Sequence, residues 1–264
     1  MTKISHNIKA LILDMDGVLW RDTEAINDLP SIFKKIEALK LNITFATNNA
    51  TRDETQYIEK LNSFGIEAKP DQIVNSSLAT AMTLKKEYPE GGPVYLIGEQ
   101  GLVNILERYG FYPSEQKPLC VVVGMDRWVT YEKMSKAALL IGNGIPFYGT
   151  NPDKSFPTPE GQTVGTGAIL AAIEAATGSE PIICGKPYPQ MMNLALERMG
   201  LEPQEAMVVG DRYETDILGG INANCVSALV LSGVTHEEKV PTLDPKPDYV
   251  FADLYTLVEA MAKS

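Results

Sequence analysis

Asp14 and Asp16 stand two residues apart, directly after the apolar run 8–13 and just before Gly17. At the carboxyl end of a strand in an open α/β sheet, such side chains face the crevice where ligands bind. One carboxylate there can attack phosphorus while the other handles protons, and both can help hold a hard cation through side chain or backbone. A turn that merely favours Asp and Gly reads the same way when taken alone. Thr47, Asn48 and Asn49 follow a second apolar run, 43–46. A hydroxyl and exposed backbone amides at a helix head can cradle a phosphate oxygen, or simply cap that helix. Lys186, between Gly185 and Pro187, follows the run 181–184. It supplies a compact positive charge for phosphate, or is a solvated surface lysine. Asp211 and Asp216 follow the run 206–209, with oxygen-bearing neighbours that suit a hard-cation site or a capped helix.

Any one of these clusters has a bland explanation. Together they place a carboxylate pair, a hydroxyl, a lysine and a second acidic pair after four successive apolar strands. Independent turn preferences do not readily produce that order, so the joint pattern argues for a phosphate-handling site.

The elements that must position these residues alternate from end to end. The window 30–39 sets Ile32, Phe33, Ile36 and Leu39 on one helical face. The window 53–64 does the same with Tyr57, Ile58, Leu61 and Phe64, and stops at Gly65. Further strands are expected at 72–74, 94–97, 119–123, 146–148, 182–184, 206–209 and 226–231, nearly all separated by helical runs. That alternation predicts an α/β fold with parallel sheets covered by helices. The stretch 149–167 is dense in Gly, Pro, Asp, Asn and Thr and is long for a connection. The motifs before and after it make 77–180 an insertion between 1–76 and 181–264.

Bulk properties narrow the function. The 264 residues carry a net charge of -11, which argues against a sequence-independent nucleic-acid surface. An acidic chain that binds phosphate needs a divalent cation and a few placed lysines to offset repulsion. Cys120, Cys184 and Cys225 are widely separated and lie in or beside apolar runs, as buried reduced thiols do. There is no signal-peptide pattern and no apolar run of about 20 residues, so the expectation is a cytoplasmic protein without a membrane span. His6 and His236 are assigned no chemistry.

The four motifs resemble those of the haloacid dehalogenase superfamily, and more narrowly its NagD or 4-nitrophenylphosphatase subfamily. The supporting segments are Thr47-Asn48-Asn49, Val123-Gly124-Met125-Asp126-Arg127, Thr150-Asn151-Pro152-Asp153, Gly165-Thr166-Gly167-Ala168 and Gly185-Lys186-Pro187. The resemblance covers nearly the whole chain. It implies a Rossmann-like core over 1–76 and 181–264 and a large α/β cap over 77–180. It further implies a phosphatase that works through an aspartyl phosphate, with Asp14 as nucleophile and Asp16 as general acid, then base. Thr47, Asn48, Asn49 and Lys186 would bind the phosphoryl group. Mg²⁺ would sit on Asp14, the backbone carbonyl of Asp16, and Asp211, with Asp216 as a ligand or support.

The same resemblance makes the loop 151–159 a specificity element, with Lys154 and Phe156 as contacts, and is compatible with a homo-oligomer formed through the cap. The substrate class would be a small phosphorylated metabolite such as a sugar phosphate, a nucleoside monophosphate or pyridoxal phosphate, with 4-nitrophenyl phosphate cleaved in vitro. The dehalogenases of the superfamily lack the second Asp of the first motif, so Asp16 points to phosphoryl chemistry. Two departures, Trp20-Arg21-Asp22 and Asn224 at places where glycine is frequent, are expected to touch no reacting group. A phosphomutase, a receiver-like phospho-acceptor and a non-catalytic binding protein are the alternatives. A built-in general base serves a lasting phospho-signal poorly.

Overall fold

The computed structural model describes residue 4, residues 7–158 and residues 161–264. His6 and Pro159 lie outside the described residues. The chain divides into two compact units, one of Met1–Thr47, Glu54–Val74 and Lys186–Ser264, the other of Asn48–Asp53 and Asn75–Gly185.

The first unit is built on a six-stranded sheet in the order Tyr249–Phe251, Val226–Val230, Ala206–Gly210, Ala10–Leu13, Asn42–Thr47, Ile73–Asn75. The registered pairs run parallel. All four residues of Ala10–Leu13 are buried, which explains why this strand reads as a continuous apolar run rather than an alternation. From this strand the chain passes to Asn42–Thr47 on one side and reaches Ala206–Gly210 on the other only much later. The strand order therefore reverses at Ala10–Leu13, and it is beyond the carboxyl end at such a reversal that open α/β sheets bind ligands. Leu13 is level with both Phe45 and Val209. The polar residues that follow those three positions consequently emerge at one height.

Helix Leu29–Ala38 starts where the Asp28 side chain accepts from the Ser31 backbone N–H and Pro30 occupies the first turn. It buries Leu29, Ile32 and Ile36, each contributing roughly 1.5–3 kcal/mol of hydrophobic stabilisation. Helix Glu54–Ser63 buries Tyr57 and Leu61 in the same core as Leu11, Leu13, Phe45, Met207 and Val209. Gly65, at φ +74°, follows it in the left-handed conformation that glycine adopts without a steric penalty.

The second unit carries a five-stranded parallel sheet in the order Ile182–Ile183, Phe147–Gly149, Val121–Val123, Gly92–Ile97, Phe111–Pro113. Tyr95, Ile97, Val121, Val123, Phe147, Ile169 and Ile173 form its core, with helices Tyr131–Gly142 and Thr166–Thr177 contributing apolar faces. Within the stretch that reads as one long connection, Ser155–Thr158 pairs antiparallel with Gly161–Val164. Strands Phe111–Pro113 and Tyr249–Phe251, each at the edge of its sheet, were likewise not expected from the sequence. Among the described residues no helix is long and apolar enough to cross a membrane. All three cysteines are buried and unbridged.

Candidate active site

Three carboxylates converge where the strands of the first unit end. Asp14, Asp211 and Asp216 each bring an oxygen within 4.8 Å of the others. Asp14 leaves the central strand with its N–H donating to Val209 O at 2.9 Å, which ties its backbone to the neighbouring strand. Asp211 follows that neighbour, and its Oδ2 accepts from Val234 N at 2.6 Å. Asp216 sits in a wide π-type turn, Tyr213–Ile217, a distortion frequent at functional sites. Its Oδ2 accepts from Arg212 N at 3.0 Å.

Lys186 ties the cluster together. Its side chain is only 2% exposed, and its ammonium lies 2.5 Å from Asp14 Oδ1 and 2.6 Å from Asp216 Oδ1. It also donates to Ala46 O at 3.0 Å, one residue before Thr47. An ammonium has three N–H donors and no acceptor, so these contacts orient it as well as neutralise it.

Glycines shape the carboxylates from the other side. A Cβ on Gly17 or on Gly233 would stand 2.5 Å from Asp211 Cγ, and one on Gly210 would stand 2.5 Å from Asp216 Oδ2. Ser232 Oγ donates to Gly17 O at 2.7 Å and so joins the segment 232–234 to the first motif. Sequence reading overlooks 232–234. The signal was present, since Ser232-Gly233 follows a buried strand just as the other four clusters do.

Three carboxylates face one ammonium, and the protonation behaviour follows. Burial raises Asp14 well above the ordinary carboxylate value; Lys186 pulls it down without cancelling the rise, and Asp216 and Asp211 push it further up. Burial, then Asp216, lifts Asp211 to about 7, against the pull of the Val234 N–H, Arg212 and Lys186. For Lys186, burial opposes the charged form, but Asp14 and Asp216 outweigh it and hold the ammonium above its usual value. An all-oxygen, electron-rich set of this kind fits a hard divalent cation, which would relieve the residual negative charge.

Asp16 stands apart from this cluster. Its side chain is 56% exposed, and its Oδ1 accepts from Trp20 Nε1 at 2.7 Å, contrary to the expectation that Trp20 touches none of the candidate reacting groups. Thr47 is buried at the end of its strand. Asn48 and Asn49 belong to the second unit. There Asn48 Nδ2 donates to Asp153 Oδ2 at 3.1 Å, and Asn48 O accepts from Ser76 Oγ at 2.6 Å and from Asn151 Nδ2 at 2.8 Å. Asn49 is exposed, and its Oδ1 accepts from Thr51 N and Thr51 Oγ1 in a local turn. Lys154 is exposed, while Phe156 is half-buried on the ribbon opposite Thr163. His236 is exposed ahead of the turn Glu237–Thr242.

Comparison with known proteins agrees with this geometry. Residues 11–112 match a haloacid dehalogenase-like hydrolase model, and residues 183–257 match a second, HAD hydrolase-like one. An acid sugar phosphatase of Staphylococcus saprophyticus is 37% identical over 97% of this chain and 99% of its own. The solved p-nitrophenyl phosphatase from Archaeoglobus fulgidus superposes with a TM-score of 0.90 at 36% identity, covering 96% of this chain and 99% of that one. NagD from Escherichia coli K-12 gives a TM-score of 0.87 at 31% identity, over 94% and 97% of the two chains. With two family models, full-length relatives and the acidic cluster in agreement, the chain belongs to the haloacid dehalogenase-like hydrolases, among the NagD- and 4-nitrophenylphosphatase-like phosphatases.

Proposed function

We propose that this enzyme hydrolyses small phosphorylated metabolites, sugar phosphates foremost, with Mg²⁺ and through a phosphoryl group carried on Asp14. The observation that carries the reading is the clustering of the Asp14, Asp211 and Asp216 carboxylates, with the buried Lys186 ammonium paired to Asp14 and Asp216. The preference for sugar phosphates rests on the name of the Staphylococcus relative. Nucleoside monophosphates and pyridoxal phosphate fit the same phosphoryl chemistry.

Asp14 is the nucleophile, on a strand end that aims its carboxylate into the crevice. Asp16 protonates the leaving alcohol and then deprotonates the water that hydrolyses the acyl phosphate. Lys186 and Thr47 hold the phosphoryl oxygens, where positioning and electrostatics supply most of the rate. Asn48 and Asn49 contribute to the same phosphate-binding segment. Asp14, the Asp16 carbonyl and Asp211 are the ligands of the cation, which when bound offsets charge on the phosphoryl group. Asp216 has one oxygen on Lys186 and the other on the Arg212 N–H, which favours support of the ligand set over direct coordination. Residues 77–180 act as the cap that selects the leaving group, through Lys154 and Phe156.

A panel of phosphate esters assayed for phosphate release tests this reading. Asp14→Asn should fold and show only a trace of turnover, since an amide is a poor nucleophile of similar shape. EDTA should silence the enzyme, Mg²⁺ restore it and Ca²⁺ inhibit it, because Ca²⁺ takes more oxygens at longer distances. Full activity in chelator, or substantial activity in Asp14→Asn, would overturn the assignment. Isomerised sugar phosphate in place of free phosphate would make it a mutase instead.

A further inference from the structure

Asp16 is held by two residues outside every motif named above. Trp20 is fully buried, and its indole stacks on Phe64 with ring centroids 5.2 Å apart and planes 15° from parallel. Its backbone is pinned as well, since Gly17 N donates to Trp20 O at 2.7 Å and Ile26 N donates to Leu19 O at 2.8 Å. The indole N–H is therefore a fixed donor, and it points at Asp16 Oδ1 from 2.7 Å. From helix Glu54–Ser63, Lys60 places its ammonium 4.2 Å over the Trp20 ring and 3.8 Å from the same oxygen.

Both contacts fall on Oδ1. This makes the two oxygens of Asp16 inequivalent. A proton on Oδ1 would confront an N–H and an ammonium, whereas a proton on Oδ2 leaves Oδ1 as the acceptor both require. We infer that Trp20 and Lys60 are positioning residues for the general acid, and that Oδ2 is the oxygen through which Asp16 transfers its proton. This rests on the acid–base role proposed for Asp16.

In the first half-reaction an Asp14 oxygen bonds to phosphorus and the bond from phosphorus to the ester oxygen breaks. The electron pair stays with that oxygen, which takes the Oδ2 proton and leaves as neutral alcohol. In the second, water bonds to phosphorus and gives a proton to Oδ2. The bond from phosphorus to Asp14 then breaks, releasing phosphate and regenerating both side chains. Neither half needs any rotation about the Asp16 carboxyl bond while Oδ1 stays anchored. Lys60 is partly exposed, and an ion pair of this kind adds little to stability, so removing it perturbs the acid more than the fold.

The test uses the Mg²⁺-loaded enzyme and a series of phenyl and alkyl phosphates, reading log kcat/KM against leaving-group pKa. Asp16→Asn should steepen the dependence most. Trp20→Phe, which keeps a ring on Phe64, and Lys60→Met should steepen it part-way. Alkyl phosphates should lose roughly 10- to 100-fold, a fraction of the whole general-acid effect, while 4-nitrophenyl phosphate loses no more than about 3-fold. Lys60→Arg should recover most of the alkyl phosphate rate. A residue that only supports packing would slow every ester alike. Lines parallel to wild type for Trp20→Phe and Lys60→Met, beside a steep line for Asp16→Asn, overturn this inference alone. A parallel line for Asp16→Asn overturns the acid role and the inference with it. Should Trp20→Phe fail to fold, Lys60→Met and Lys60→Arg decide the matter.

Discussion

Gly233 lies so close to Asp211 that a methyl group on its α-carbon would stand 2.5 Å from the carboxylate carbon. Its neighbour Val234 donates its N–H to that same carboxylate at 2.6 Å. The absence of a side chain at 233 thus lets the backbone close on Asp211 and aim it. Gly233→Ala should push Asp211 out of line, weakening Mg²⁺ binding by about 10- to 100-fold, the range for lost support of a ligand. Overpacking should cost about 1–3 kcal/mol of stability. Calorimetric Mg²⁺ titration checks the first and denaturant unfolding the second; unchanged affinity would remove Gly233 from the site.

Lys186 is buried between Asp14 and Asp216. Lys186→Met should leave both carboxylates without their common counter-charge, and breaking such a buried pair costs about 3–5 kcal/mol. Turnover should fall for every ester tested, because the lysine addresses the phosphoryl group that all of them share. Denaturant unfolding in chelator and a kcat/KM table measure the two effects. A stable variant with substrate-selective loss would contradict both.

The raised carboxylates make the metal-free protein sensitive to pH. Asp211 titrates near 7 when folded, and a free Asp near 4. Between those values the native state binds more protons than the unfolded one, so stability falls as pH rises from about 4 to about 7 and then levels. The ceiling is about 4 kcal/mol for a shift of this size. Asp211→Asn cannot titrate, so the melting temperature of wild type minus that of the variant should decline across this window in EDTA. Saturating Mg²⁺ should abolish the decline. A difference that is flat or rises in EDTA would be inconsistent with a crowded apo site.

Lys154 and Phe156 offer one charge and one partly buried ring. If they select the leaving group, Lys154→Ala and Phe156→Ala should reorder natural substrates by about 1–3 kcal/mol in transition-state terms. Hydrolysis of 4-nitrophenyl phosphate, whose leaving group needs little assistance, should barely change. A table of kcat/KM over several esters measures this, and uniform loss would assign the two residues to stability instead.

Much of the first unit was legible because buried parallel strands impose a continuous apolar run, and a polar residue marks where each run stops. Asp14, Thr47 and Asp211 all stand at or just past such a stop. The helix 30–39 was visible through its 3.6-residue spacing and appears as Leu29–Ala38, and the one ending before Gly65 appears as Glu54–Ser63. The ribbon Ser155–Thr158 with Gly161–Val164 was not visible. Its strands are rich in Pro, Thr and Gly and carry no apolar alternation.

Local periodicity and residue type are properties of neighbours along the chain, so they mark the candidate residues and the apolar run that precedes each cluster. The tertiary fold alone makes the strands before Asp14 and Asp211 adjacent, sets Lys186 between Asp14 and Asp216, and puts Asn48, the residue after Thr47, in the second unit beside Asp153. It also decided that Trp20 and Lys60 meet on a single oxygen of Asp16. These relationships depend on strand order, register and the packing of distant segments, whose energies are summed over the whole core. No local pattern encodes them, and at a site of crowded charges a few ångströms of placement set both protonation and reactivity.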